Sequence, residues 1–263
     1  MAVKKLRFMW LNYFDSATVT ASSEAADYPV SNLQNRWKTW DWRSVGVAAG
    51  IEIISDLGSA WATKPVQAFV LENMNFTVGM TVELGGHAAD PTALEHTTYE
   101  NVITITAAMA AAKRIVVFLA AAETYRWWRI KMSAGGGAIT YLSASHPYLG
   151  PYFEPVRSYR TQWKRWPESD SVISYSDGGQ ASATERPVFW VYELPITIVG
   201  AADAQAYAAI DTECGIKKPL WICIDTTDEI ASTVYGHFLE YIAFPSMVDG
   251  RLWETTLLFR EEL

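Results

Sequence analysis

The chain has 263 residues, which is enough for one large domain or two ordinary ones, and its changes of pattern favour two. Hydrophobic residues make up 50% and charged residues 19%, a balance that indicates a globular protein and excludes a disordered one. The formal net charge of −8 opposes binding to nucleic acid, because such binding needs a dense positive surface.

The N-terminal residues do not predict a signal peptide. The apolar run that follows Lys4, Lys5 and Arg7 is cut off by Asn12 and Asp15. No other apolar run reaches the ~18 residues of a membrane span, so we expect a soluble protein with no membrane insertion.

Short strands separated by turn residues are predicted throughout the first half. Alternation favours strands at 6–13, 51–57, 65–72, 81–84, 101–106, 114–119 and 125–132. The strand at 81–84 is expected to stop at Gly85 and Gly86, and the alanine-rich segment 107–112 fits a single helical turn. In the last strand Trp128, Ile130 and Met132 share one face. This succession of strands predicts an antiparallel β-sandwich.

Three tryptophans lie close together in the first half. Trp37, Trp40 and Trp42 alternate with polar or charged residues, so an extended segment would place Trp40 and Trp42 on one face. The pattern favours a sheet face covered by a neighbour, since large aromatic residues are mostly buried. The alternative is an aromatic platform for a ligand.

A proline-rich joint at 146–155 separates the two halves. Three prolines and a glycine within this segment cannot continue a helix or lie centrally in a sheet. We therefore predict one domain at 1–148 and a second at 149–263.

The second half opens on basic and aromatic residues at 157–166, which include Trp163, Arg165 and Trp166. Such a mixture can stack on nucleic acid, but the acidic background favours a solvated or interface strand. Further strands are predicted at 186–192, 218–225, 235–244 and 251–259, and a helix at 201–214. The fold class predicted for the whole chain is mainly β: an N-terminal jelly-roll sandwich, and a C-terminal α+β domain with a mostly antiparallel sheet and one short helix.

The motifs of catalysis, metal binding and cofactor binding are missing from the sequence. His87, His96, His146 and His237 lack metal-site spacing and are expected to be surface or turn histidines. Gly85–Gly86 and 135–137 are expected to be turns rather than phosphate loops, and the acids at 225–229 a solvated tip. Cys214 and Cys223 are predicted thiols, Cys223 in a buried strand, which fits a reducing cytoplasm. We predict no enzyme activity and no cofactor.

Three segments of the first half resemble the discoidin or galactose-binding-like jelly roll. They are "IEIISDLG" at 51–58, "QAFVLENMNF" at 67–76 and "YRWWRIK" at 125–131. The resemblance implies a sandwich that can bind glycans through loops at one end, although no loop residue matches a ligand motif of that family.

The whole chain also resembles tail-tip (distal tail-like) proteins of long-tailed bacteriophages. The resemblance rests on "PVSNL" at 29–33, "DLGS" at 56–59, "KPLWICID" at 218–225 and "LLFREEL" at 257–263. It implies a structural component of the virion tail tip or baseplate, assembled in the host cytoplasm as a ring or trimer and bound to tail-tube, hub and fibre proteins.

Two functions therefore remain open at this point. The first is assembly in a tail tip, with Trp37, Trp40, Trp42, Trp163, Arg165 and Trp166 as interface candidates, because buried aromatics and arginines carry most interface energy. The second is a carbohydrate-binding module that contacts host surface glycans.

Overall fold

The computed structural model describes residues 4–47, 50–91, 99–133, 139–159, 163–175, 181–243 and 252–262. The chain divides into two compact units. The first comprises Met1–Trp10, Phe153–Thr227 and Ser232–Leu263, and the second comprises Leu11–Tyr152 with Asp228–Ala231. These units differ from the predicted ranges 1–148 and 149–263, because the first ten residues group with the C-terminal half.

The strands of the first 150 residues are, in chain order, β1 (Arg7–Met9), β2 (Thr18–Ala21), β3 (Trp42–Arg43), β4 (Ile51–Asp56), β5 (Val66–Glu72), β6 (Thr81–His87), β7 (Tyr99–Thr104), β8 (Arg114–Glu123), β9 (Trp127–Ser133) and β10 (Ser143–Gly150). Helix α1 (Ala107–Ala112) precedes β8, where a helical turn was predicted. Later come β11 (Lys164–Ser169), β12 (Val172–Tyr175), β13 (Ala181–Thr184), β14 (Val188–Val199), α2 (Gly200–Glu213), β15 (Leu220–Cys223), α3 (Glu229–Ser232), β16 (Thr233–Phe238) and β17 (Leu252–Glu261).

The second unit is a two-sheet antiparallel sandwich. One sheet has the order β2-β4-β9-β6-β7 and the other β3-β10-β5-β8. Side chains from both sheets, including Ile53 and Phe69, meet in one core. Trp128, Ile130 and Met132 of β9 are buried on one face as predicted, because successive side chains of a strand point to opposite faces.

The first unit is built on a six-stranded sheet with the order β1-β15-β16-β17-β14-β11. Helix α2 carries Tyr207 and Ile210 into the core of this unit. The buried carboxylate of Asp203 accepts hydrogen bonds from the backbone N–H groups of Val199 (3.3 Å) and Val156 (3.2 Å), and so satisfies donors next to the helix start. The predicted fold class, mainly β with a sandwich and an α+β part, is confirmed.

Several local predictions are corrected by the fold. Strand β6 continues through Gly85 and Gly86 to His87. Gly86 is accommodated there because it has no side chain: a Cβ at this position would stand 2.3 Å from Cδ2 of the Tyr125 ring. His87 and His146 are buried rather than exposed. His96 and the glycines at 135–137 lie outside the described residues.

Both cysteines are buried, Cys223 within β15 as the sequence predicts. In the part of the chain that the structure describes, no helix combines the length and apolar character needed to cross a membrane.

Candidate functional site

A cleft of about 500 Å³ opens on the sandwich unit, and the residues that line it are Ala25, Ala26, Tyr28, Arg43, Ser44, Val45, Thr140 and Tyr141. It lies at the beginning of β10, where Ser143 pairs with Arg43 of β3. Three of its side chains, Tyr28, Arg43 and Tyr141, provide two aromatic rings and one cation. Aromatic walls with a few polar groups are the usual composition of small-ligand sites.

The Arg43 guanidinium is the polar centre of the cleft. Its Cζ lies 3.7 Å from the ring centroid of Tyr28 and 5.1 Å from that of Tyr141. Its Nε donates to Asp41 Oδ2 at 2.7 Å, and this hydrogen bond raises the pKa of Arg43, so the group stays charged. Among the described residues, the two Nη groups have no hydrogen-bond partner, so they are available to a ligand.

Backbone pairing places Tyr28 beneath Arg43. The turn at 25–28 closes with the hydrogen bond from Tyr28 N to Ala25 O, at 2.9 Å. Ala25 N donates to Arg43 O at 2.8 Å, and Arg43 N donates to Tyr28 O at 3.2 Å. The adjacent Trp42 is fully buried and anchors β3 in the core, so the geometry of the cation and ring is preorganised.

The opposite wall, Tyr141, is held by its chain neighbours. Leu142 N donates to Ser44 Oγ at 2.8 Å, and Ser44 N donates to Leu142 O at 2.9 Å. Asn75 Nδ2 donates to Tyr141 O at 2.8 Å, and Asn75 Oδ1 accepts from Ser143 N at 2.9 Å. Both aromatic walls are therefore fixed by hydrogen bonds of the sandwich itself.

The three tryptophans of the first half do not act as one set. Trp42 is buried, whereas Trp37 and Trp40 are 68% and 53% exposed. The prediction that Trp40 and Trp42 share a covered face is wrong, because the chain turns at 37–40 and is not an extended strand there. Trp37 and Trp40 present their rings to solvent, as the alternative interpretation required.

The three candidates of the second half lie in and before β11. Trp163 is half-buried and packs on the core of its unit, with its ring 6.2 Å from that of Tyr192. Arg165 lies over the Trp190 ring, 4.7 Å from its centroid, and Trp166 is 37% exposed. Arg165 and Trp166 thus have the exposure that an interface residue needs, while Trp163 also supports the fold.

Sequence reasoning missed Tyr28, Arg43 and Tyr141. Tyr28 and Tyr141 lie far apart in the chain, and only the pairing of β3 with β10 brings them together. Arg43 directly follows Trp42 in the tryptophan segment. This position next to a large aromatic residue is the one local feature of the sequence that could have identified Arg43 as a site residue.

The acids at 225–229 are more structured than a solvated tip. Asp225 accepts from Lys4 Nζ at 2.6 Å, as well as from the backbone and hydroxyl of Thr227, so it fastens the N-terminal segment to its own turn. In the described ranges, His, Cys, Asp and Glu residues form no group of three or more that could hold a metal ion.

No family model and no curated protein matches the chain. Among solved structures, chitosan-binding module 1 from a chitosanase/glucanase of Paenibacillus sp. IK-5 is 17% identical and has a TM-score of 0.42. That likeness covers 54% of this chain and 99% of the module.

The family 32 carbohydrate-binding module of C. perfringens NanJ, in complex with galactose, is 14% identical over 56% of this chain and 99% of its own, with a TM-score of 0.41. Module 2 of the Paenibacillus enzyme, in complex with chitotriose, is 13% identical over 53% of this chain and 100% of its own, with a TM-score of 0.42. These likenesses are too distant to assign a function. None of the comparisons points to a phage tail protein, so that resemblance stays a prediction.

Proposed function

We propose that the sandwich unit is a carbohydrate-binding module and that the cleft of Tyr28, Arg43 and Tyr141 holds the glycan. The single observation that carries this proposal is the charged guanidinium of Arg43 in a cleft of about 500 Å³, 3.7 Å and 5.1 Å from the ring centroids of Tyr28 and Tyr141, with no hydrogen-bond partner for its Nη groups among the described residues. Sugars combine apolar C–H faces with rings of hydroxyls, and both find a partner here. The Tyr141 ring, whose centroid lies 5.1 Å from the guanidinium carbon, can accept the apolar face, while guanidinium N–H groups donate to the hydroxyl oxygens.

The position of the cleft suits a binding role. It lies at the Ser143 end of β10, while the chain enters and leaves the unit near Leu149, whose N–H donates to Asn12 Oδ1. The six residue steps from Ser143 to Leu149 along β10 span at most about 20 Å. The cleft therefore lies at the opposite end of β10 from the residues where the segment Leu11–Tyr152 begins and ends.

A glycan array with the full chain tests the proposal. Wild type is expected to bind, and Arg43→Ala is expected to weaken binding at least tenfold, because it removes charged hydrogen-bond donors. The matched control is Arg126→Ala, which deletes another sandwich arginine that pairs with an aspartate and lies over an aromatic ring, here Asp56 and Trp127. Equal binding by Arg43→Ala and wild type would contradict the proposal.

A second candidate function is structural assembly, as in a bacteriophage tail tip, and strand β11 favours it. This edge strand exposes all six of its residues, so in the isolated chain it contributes little to a core. Arg165 and Trp166 on such an edge are residue types enriched at protein interfaces. Pro167 lacks a backbone donor, which favours contact through side chains over continued strand pairing.

Light scattering of the purified chain tests assembly. A ring or trimer is expected in wild type, and a monomer in the double variant Arg165→Ala/Trp166→Ala. Trp163 is left intact, because its contact with the core would confuse loss of assembly with loss of folding. A monomeric wild type at every concentration, or an unchanged mass in the variant, would contradict self-assembly.

A further inference from the structure

A second exposed aromatic feature lies just before Arg43 in the chain, on the turn formed by residues 35–41, here called the Trp loop. Trp37 and Trp40 are more than half exposed. The other residues of the loop are Asn35, Arg36, Lys38, Thr39 and Asp41, all of them polar or charged. A protein-binding patch ordinarily surrounds its aromatic anchors with other apolar groups. Exposed indole rings among hydrogen-bonding side chains suit a sugar better than a protein partner, since each sugar has an apolar face bordered by hydroxyls.

Hydrogen bonds within the Trp loop define its shape. Trp37 N donates to Asn35 Oδ1 at 3.0 Å, and Trp40 N donates to Trp37 O at 3.0 Å. The second bond closes a turn, so the two indoles belong to residues less than about 7 Å apart at their Cα atoms.

The strands beneath the loop hold it down. Asn73 Nδ2 donates to Lys38 O at 3.3 Å, and Lys38 Nζ lies 3.4 Å from Glu72 Oε1 at the end of β5. His146 of β10 contacts Asn35 O through Nδ1, at 3.1 Å. The inner side of the loop is thus anchored by polar contacts, and its indoles are presented outward without serving as core residues.

Asp41 joins the Trp loop to the cleft. Its carboxylate accepts from Arg43 Nε, while its carbonyl oxygen accepts from Asn32 Nδ2 at 2.9 Å. Trp40 precedes Arg43 by three residues, which places their Cα atoms at most about 10 Å apart. A separation within this limit can be spanned by a short oligosaccharide.

We infer that the ligand of this site is a linear glycan chain, with one sugar in the cleft at Arg43 and further sugars against Trp40 and Trp37. The inference rests on the proposed carbohydrate-binding function and extends it from a single sugar to a polymer. A rigid indole ring loses little conformational entropy when it contacts a ligand, so each contact adds affinity. Only a glycan long enough to reach Trp40 and Trp37 gains that affinity.

Titration of the full chain with glycans of increasing length tests the inference. The probes are galactose, glucose and N-acetylglucosamine, each as the monosaccharide and as linear oligomers of three and six units. For a sugar that binds, we expect wild type to bind the six-unit oligomer at least tenfold more tightly than the monosaccharide. Trp37→Ala/Trp40→Ala should bind both with the monosaccharide affinity of wild type. The matched control is Tyr241→Ala, a 57% exposed aromatic residue of the other unit, which should keep the preference for length.

The outcomes separate this inference from the proposed function. If wild type binds monosaccharide and oligomer equally, or the double tryptophan variant keeps the preference, the polymer inference is wrong while the binding module stands. If no probe binds wild type on the array or in titration, both fail. If the double variant binds glycans as wild type does but changes native mass in light scattering, the indoles serve a protein contact instead. Equal melting temperatures of variant and wild type would exclude unfolding as the cause of a loss.

Discussion

Phe8 and Phe153 exchange two backbone hydrogen bonds, Phe8 N to Phe153 O at 2.9 Å and Phe153 N to Phe8 O at 2.8 Å. Their rings stack with centroids 6.2 Å apart. Phe8 precedes the sandwich segment Leu11–Tyr152 in the chain and Phe153 follows it. Their pairing therefore joins the two parts of the first unit that the sandwich segment separates in the sequence. The sandwich is therefore an insertion between β1 and the remainder of the first unit, which explains why the N-terminal strand belongs with the C-terminal half.

Phe8→Ala is expected to destabilise the first unit by about 3 to 5 kcal/mol, because a fully buried ring is lost and leaves a cavity. The ring also contacts Tyr207 edge-on, with centroids 5.4 Å apart, and that contact disappears with it. In this variant, the backbone amides of β15 and β16 should exchange hydrogen faster than in the wild type, while those of β4 and β9 should exchange at the wild-type rate. Trp128→Ala, in the sandwich core, should give the reverse pattern, and identical profiles for the two variants would contradict the division into units.

Gly236→Ala is expected to destabilise the sheet of the first unit by about 2 kcal/mol or more, through overpacking. A Cβ at this position would stand 1.9 Å from Arg260 O on the neighbouring β17, and backbone cannot move aside without breaking the pairing. Gly46→Ala is the matched control, because a Cβ there meets nothing within 4 Å. Urea unfolding of both variants checks the difference, and equal midpoints would refute it.

In Asp56→Asn, the free energy of unfolding is expected to fall less steeply with decreasing pH than in the wild type. Two hydrogen bonds from Arg126, both 2.7 Å, hold the pKa of the Asp56 carboxyl below its ordinary value of 3.8, and Gly58 N adds a third bond. A depressed pKa in the folded state stabilises the fold above the ordinary pKa, and this contribution is lost as the pH falls from about 4 toward the folded value.

The measurement is the free energy of unfolding in urea at pH 7, 5, 4 and 3. The wild type should be the more stable protein at pH 7, and its advantage over Asp56→Asn should shrink below pH 4. Two parallel curves over this range would show that the ion pair with Arg126 adds nothing to stability.

Glu72→Ala is expected to destabilise the sandwich by about 3 kcal/mol, because it removes the Glu72 carboxylate from its ion pair with the largely buried guanidinium of Arg114. The side chains of Glu72 and Arg114 are 9% and 12% exposed, and Glu72 Oε1 accepts from Arg114 Nη2. In a double-mutant cycle, Glu72→Ala/Arg114→Ala should lose less stability than the sum of the two single variants. Additive losses would mean that the two residues act independently.

The tryptophan segment illustrates where sequence patterns succeed and where they fail. Alternation correctly grouped Trp128, Ile130 and Met132, because β9 pairs on both sides and stays extended. The same reasoning failed at Trp40 and Trp42, because the segment before β3 turns instead of extending. Period-two arguments hold only where neighbouring strands keep the backbone straight.

Glycines show the same limit. Gly85 and Gly86 predicted a turn, since glycine lacks a side chain to pack in a strand. In the structure the strand continues, and the absent Cβ of Gly86 makes room for the Tyr125 ring. A neighbour that is remote in the chain gave this glycine its role, and no local pattern contains that information.

The sequence by itself determined the mainly antiparallel β class, the helix predicted at 201–214 and found at 200–213, and the burial of the β9 core face. Those features depend on alternation, turn residues and helix signals, which act over a few neighbouring residues. Only the tertiary structure decided that β1 joins the C-terminal half, that Trp37 and Trp40 are exposed while Trp42 is buried, and that Tyr28, Arg43 and Tyr141 form one cleft. Each of these depends on backbone pairing between segments far apart in the chain, and such pairing is selected by the packing of the whole unit.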